Sequence, residues 1–129
     1  MEAESSLFLV KARESLASAE ADLQARRFNS AANRAYYATF QAAVAALMEQ
    51  GVGARGASWD HKFVISAFSG KLVRRRKLVP ARFRGVLDSL FTARLFADYR
   101  ADGVGRATAR LSVTEARRLV DELVRVLEG

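Results

Sequence analysis

The sequence predicts an all-α protein, an up-down bundle of four to five helices forming one domain over residues 1–129. Three observations carry this. There is a single Pro in 129 residues, so little interrupts helical backbone. The stretch from Asn29 to Met48 holds neither Gly nor Pro and is dominated by Ala, the best helix former. Apolar residues recur every three to four positions in segment after segment, and at 50% the hydrophobic fraction is enough for one core.

The first helix is expected from about Ser6 to Gln24. Leu9, Ala12, Leu16, Ala19 and Leu23 form its stripe, and Lys11, Glu14, Ser18 and Asp22 lie opposite. The short connection Arg26 to Asn29 makes the first two helices antiparallel neighbours, with Asn29 or Ser30 as N-cap of the second. Along that second helix Tyr36, Phe40, Ala43 and Leu47 repeat at helical period, while Asn33, Tyr37 and Gln41 make a polar line beside them. So many alanines suit a central helix packed on several sides. Gly51 to Gly53 ends it, supplying a residue for a left-handed cap.

After a small loop, Gly51 to Ala57, a third helix is expected to about Leu72, capped by Ser58 or Asp60. His61, Val64 or Ile65, Phe68 and Leu72 share one face, which turns the only His of the chain inward or into a cleft. Lys71, Arg74, Arg75, Arg76, Lys77, Arg82 and Arg84 then form a basic cluster, either a solvated loop or a phosphate-binding ridge. Pro80 suits the first turn of a fourth helix, expected from about Ala81 to Tyr99. Its apolar line of Phe83, Leu87 and Leu90 is interrupted by Arg94, with Asp98 one turn on and Tyr99 beside it. Arg100 to Arg110, with Gly103 and Gly105, reads as a loop. The Ser112-x-x-Glu115 pattern reads as the capping box of the last helix, with Leu111 as its staple. That helix carries Val113, Ala116, Val120, Leu123 and Leu127 inward.

Net charge is +7 and the pI near 10.5, a balance that favours RNA, DNA, nucleotides or an acidic protein as partners. Cys is absent, which excludes disulfides and thiolate metal sites. One His and scattered acids make a catalytic metal site unexpected, and no cofactor is expected. With no leader pattern and no apolar run of membrane-spanning length, the chain is expected in the cytoplasm, away from membranes. The polar residues on faces that should turn inward are Arg94, Asp98, Tyr99, His61, Asn33 and Tyr37, with Arg34 next to them.

Two stretches carry a resemblance. The run Asn33-Arg34-Ala35-Tyr36-Tyr37-Ala38-Thr39-Phe40-Gln41-Ala42-Ala43 resembles the signature helix of HEPN domains. The run Arg94-Leu95-Phe96-Ala97-Asp98-Tyr99 resembles the Arg-x-x-Ala-Asp-Tyr segment of small stand-alone prokaryotic HEPN proteins, and His61 is similar to a His they often carry in the third helix. The resemblance implies a homodimer whose late helices flank a shared cleft. It also implies a minimal nucleotidyltransferase as partner, in a toxin–antitoxin or defence module, and relatives that are metal-independent ribonucleases. Those nucleases carry a His four to six residues after the Arg, and none follows Arg94 here. Arg55 and His61 match that spacing only at the start of the third helix.

The resemblance thus assigns Arg94 to stabilising phosphoryl charge, His61 to accepting a proton, and Asp98 and Tyr99 to the same site. Asn33, Arg34 and Tyr37 become nucleotide or RNA contacts, and Tyr99 an acceptor for nucleotide transfer. The leading reading is the toxin-like half of such a module, binding RNA, with cleavage left open. The alternatives are a non-catalytic nucleotide-binding or interaction domain that partners a nucleotidyltransferase, and a structural adaptor.

Overall fold

A computed structural model describes residues 1–53 and 59–129. The expected Ser58 cap, part of the Gly51–Ala57 loop and the Arg55 spacing match lie outside the described residues. Five α-helices follow in order: α1 Ala3–Gln24, α2 Phe28–Glu49, α3 His61–Ala67, α4 Val86–Tyr99 and α5 Arg106–Glu128. Among the described residues there is no strand, and the all-α bundle is as expected.

Helix α2 is the axis of the bundle. Its alanines at 31, 32, 35, 38, 42, 43 and 45 are fully buried, as are Tyr36, Val44 and Leu47, so both flanks of the helix meet neighbours. It touches α1, α3, α4 and α5. The intervening positions Asn33, Arg34, Tyr37 and Gln41 are half-buried, which is where the sequence put its polar line. Gln41 is structural. With its amide nitrogen turned toward them, its two N–H groups are shared among the Lys11 and Tyr37 carbonyls at 3.0 Å and Ser15 Oγ at 2.7 Å, tying α1 to α2.

Several local expectations give way to tertiary contacts. Neither Asn29 nor Ser30 caps α2, whose N-cap is Arg27 with no side-chain cap bond. Ser30 Oγ donates to Asp22 at 2.6 Å, and Asn29 Oδ1 accepts from the Val104 N–H at 2.8 Å, closing the α4–α5 connection onto α2. Gly103 is left-handed at φ +62, directly against the Asn29 side chain, where a Cβ would collide. That connection spans only Arg100 to Gly105, because α5 starts at Arg106. Ser112 is therefore no cap: it sits inside α5, buried at 3%. Leu111 is exposed and staples nothing.

Asp60 does cap α3, its carboxylate accepting from the Phe63 N–H at 2.8 Å. The helix continues past Ala67 as a π-helical stretch, Phe68–Arg75. It buries Phe68, Leu72 and Val73. Such wide turns are uncommon and often accompany functional surfaces. Pro80 precedes a single 3₁₀ turn, Ala81–Phe83, and α4 begins only at Val86 rather than Ala81. Phe83, Leu87 and Leu90 are buried below Arg94 as expected. Among the described residues, no helix is long and apolar enough to cross a membrane.

Candidate functional site

The polar line of α2 and the Arg94 turn of α4 meet. Arg94 Nε donates to Asp98 Oδ2 at 3.0 Å, one helical turn along α4. Asp98 in turn accepts from Asn33 Nδ2 on α2, at 3.2 Å to Oδ1 and 3.0 Å to Oδ2. Asn33 Oδ1 then accepts from Arg34 Nε at 3.0 Å. The chain Arg94, Asp98, Asn33, Arg34 is thus a hydrogen-bonded arc across two helices.

Tyr37 is its floor. The Arg34 guanidinium lies over the Tyr37 ring at 5.0 Å and that of Arg94 at 5.3 Å. Arg94 also lies 6.0 Å from the Phe91 ring and 5.9 Å from that of Tyr99. Among the described residues, each guanidinium uses only its Nε in a hydrogen bond, and its terminal nitrogens meet no protein acceptor. The arc holds two cations and one carboxylate, so it carries an excess of positive charge.

Arg94 is 13% exposed at its side chain and Asp98 24%. That places the pair at a rim, largely covered yet still reached by water. Tyr99 is 73% exposed, so it adjoins the arc as an open phenol.

His61 belongs to a second cluster. Its Nδ1 lies 2.7 Å from the hydroxyl of Tyr36, a residue fully buried on α2. The imidazole packs at 5.1 Å from Phe40 and 5.3 Å from Phe91. Phe91 and Tyr37 are its common ground with Arg94, since His61 is also 5.9 Å from Tyr37. His61 and Arg94 thus stand over the same two rings within one chain. Tyr36, fully buried, and Phe91, half-buried, are the links here; sequence reasoning gave neither a role in the site, because each is an aromatic on a largely apolar helix.

Burial pushes the Tyr36 phenol far above its ordinary range; Tyr37 adds to this and Arg94 opposes it. Burial also lowers the His61 pKa, helped by the Arg94 charge and opposed by Asp60. The folded chain therefore resists a proton that the unfolded chain accepts below pH 6.5. That contribution to stability is present above this value and is lost as pH falls through it. The expected result is a melting temperature that drops more steeply from about pH 7 to about pH 5 in the parent chain than in His61→Asn, where the amide keeps an acceptor near Tyr36. Parallel curves would remove His61 as the titrating group.

The basic cluster divides among several faces. Arg76 is structural, its Nη1 donating to the Gln50 carbonyl at 2.7 Å at the end of α2. Arg82 stacks on Phe83 at 4.7 Å. Lys71, Arg74 and Arg75 line a hollow beside Gly70, and Arg74 also lines an adjoining groove between α3 and α4 that Arg84 reaches. Arg76 and Arg82 are thus turned to contacts of their own, while Lys71, Arg74, Arg75 and Arg84 line adjoining hollows.

A comparison with curated proteins finds no match to the chain. The family model for the HEPN domain matches residues 5–128, nearly the whole length, including both stretches that meet in the arc. The chain belongs to the HEPN domain family.

Proposed function

We propose that this HEPN protein binds RNA through the Arg34–Arg94 arc, as the toxin-like half of a module with a minimal nucleotidyltransferase. One observation carries the reading. Two guanidiniums are held by Nε over one aromatic floor, with their terminal nitrogens turned to no protein acceptor among the described residues. That arrangement suits phosphate oxygens, which guanidinium groups bind by paired hydrogen bonds. Asp98 and Asn33 hold the forks in place, and Tyr37 and Tyr99 offer ring faces to bases. Cleavage would also require a proton acceptor near Arg94; His61 stands over the same rings, but its Nδ1 is engaged by the Tyr36 hydroxyl, so the reading proposed is binding, with His61 not free to accept a proton while that bond holds.

The test is binding of a short oligoribonucleotide at several salt concentrations. Affinity should fall steeply with salt, and loss of either Arg34 or Arg94 should reduce the slope of log affinity against log salt by about one unit. Binding that is absent at low salt, or indifferent to salt, would overturn the reading.

A second reading rests on Tyr99. Its exposed phenol beside Arg94 suits attack on the α-phosphorus of a nucleoside triphosphate held by the nucleotidyltransferase, with pyrophosphate leaving and the phenolic proton passing to solvent. Mass gain on Tyr99 when the two proteins are co-expressed would favour it; an unmodified Tyr99 would not.

The same proposal includes a homodimer through the late helices, supported by Phe96 and Leu111, which expose apolar side chains on α4 and α5. Sedimentation at micromolar concentration should give a dimer mass. A monomer would remove this part.

A further inference from the structure

The groove between α3 and α4 is not used by the arc. It is a cavity of about 760 Å³ lined by His61, Lys62, Arg74, Arg84, Asp88 and Phe91. Neither Arg34 nor Arg94 lines it. Its volume falls within the range of small-ligand sites.

Its charge is unbalanced. Lys62, Arg74 and Arg84 contribute three cations and Asp88 one anion, a net of +2. Among the described residues none of these four side chains forms an ion pair. Three cations facing a groove that holds a single carboxylate leave an excess of positive charge, and an anion in the groove relieves their repulsion.

His61 adds a directed donor. The Tyr36 hydroxyl is buried in the core, and its hydrogen-bond partner is His61 Nδ1. A buried phenol must place its proton on an acceptor. Burial keeps that phenol protonated, so it donates to Nδ1. A neutral imidazole with Nδ1 as acceptor carries its one hydrogen on Nε2. His61 is thus fixed as an N–H donor by a residue that never leaves the core, and proton acceptance at Nε2 is closed while that bond holds.

We propose that this groove is a second anion site, binding a phosphate monoester with Lys62, Arg74 and Arg84 as its cations and His61 as a neutral donor. A monoester carries about −1.5 to −2 charges at pH 7, which matches the groove better than the single charge of a diester. Asp88 is the one carboxylate lining the groove and suits a hydroxyl on the group that bears the phosphate. A free ribonucleotide and the phosphorylated end of an RNA both meet this description.

The chain has one His, so its imidazole signals in nitrogen–proton NMR are unambiguous. Four probes are titrated at constant ionic strength: inorganic phosphate, adenosine 5′-monophosphate, and one oligoribonucleotide with a 5′-phosphate or a 5′-hydroxyl. The resting protein should show the Nε2–H tautomer. Adenosine monophosphate should shift the His61 signals and bind more tightly than inorganic phosphate, and Asp88→Ala should erase that difference. The oligoribonucleotide should shift His61 at least tenfold more effectively with its 5′-phosphate than without, if the RNA end is the natural source. If it does not, while adenosine monophosphate still binds, the source is the free nucleotide.

Arg74 and Arg84 are exposed, so the double variant Arg74→Ala/Arg84→Ala should fold, as circular dichroism will report, and bind adenosine monophosphate at least tenfold more weakly. An Nδ1–H tautomer, no response to adenosine monophosphate, or a double variant within twofold of the parent would each overturn the site. The Arg34–Arg94 reading is tested by other residues and survives or fails separately.

Discussion

Arg94→Ala is expected to weaken oligoribonucleotide binding at least tenfold while lowering stability by only about 1–2 kcal/mol. The two parts come from different atoms. Binding is lost with the terminal nitrogens, which face no protein acceptor among the described residues. Stability is lost with the contacts to Tyr37 and Phe91 and with the Asp98 bond. A fully buried ion pair broken on one side would cost about 3–5 kcal/mol, because the surviving charge is stranded. That does not apply here. Asp98 remains partly exposed and keeps both bonds from Asn33, so it is not stranded when Arg94 goes.

Arg94→Lys separates charge from geometry. An ammonium keeps the charge but cannot be held by one nitrogen while presenting two others as a fork. It should recover less than half of the lost binding free energy. Full recovery would make the arc a simple charge patch. A loss near 4 kcal/mol in Arg94→Ala with unchanged binding would make the pair a structural lock.

Much of this site was legible in the sequence, for a reason that can be stated. Asn33, Arg34, Tyr37, Arg94 and Asp98 are polar residues on helical faces otherwise built of Ala, Leu and Phe. Helical period alone marks them as groups needing partners. Periodicity could not say that the two lines meet, and it could not find Tyr36. A Tyr on an apolar stripe looks like core, and its hydroxyl matters only because α3 brings His61 Nδ1 to it. The basic cluster was only partly legible. Seven cations close in sequence say nothing of their partners, and only the fold shows Arg76 bound to Gln50 and Arg82 over Phe83 while Lys71, Arg74, Arg75 and Arg84 line adjoining hollows.

Helix ends were the least legible part of the fold. Asn29, Ser30 and Ser112 are all good capping residues, and none of them caps. Each has a better use in three dimensions: Asn29 holds the Val104 N–H, Ser30 binds Asp22, and Ser112 is buried within α5. A cap contributes about 1 kcal/mol, so one tertiary bond of similar size is enough to redirect the side chain. The HEPN resemblance did better than local rules, because it rests on two stretches that the fold brings into contact.

Ala45→Leu is expected to destabilise the bundle by about 2–3 kcal/mol and to lower its melting temperature by about 10 °C. Gln41 identifies the face of α2 that meets α1, through its bonds to Lys11 and Ser15. Ala45 lies one turn beyond Gln41 on that face and is fully buried. Between the Gln41–Ser15 contact and the Glu2–Glu49 bond, α1 carries small residues too, Ser5 and Ala12, both fully buried. Small residues on both sides leave no room for three added heavy atoms. The gain from burying a larger apolar side chain is therefore outweighed by the strain of separating the helices. Ala17→Leu is the control, because Ala17 faces solvent on α1 and should shift stability by less than about 0.5 kcal/mol. Ala45 is about two turns from Tyr37 and about three from Arg34 on α2, so any folded Ala45→Leu protein should keep its RNA affinity. A variant as stable as the parent would mean that α1 and α2 are not in closest contact at this level.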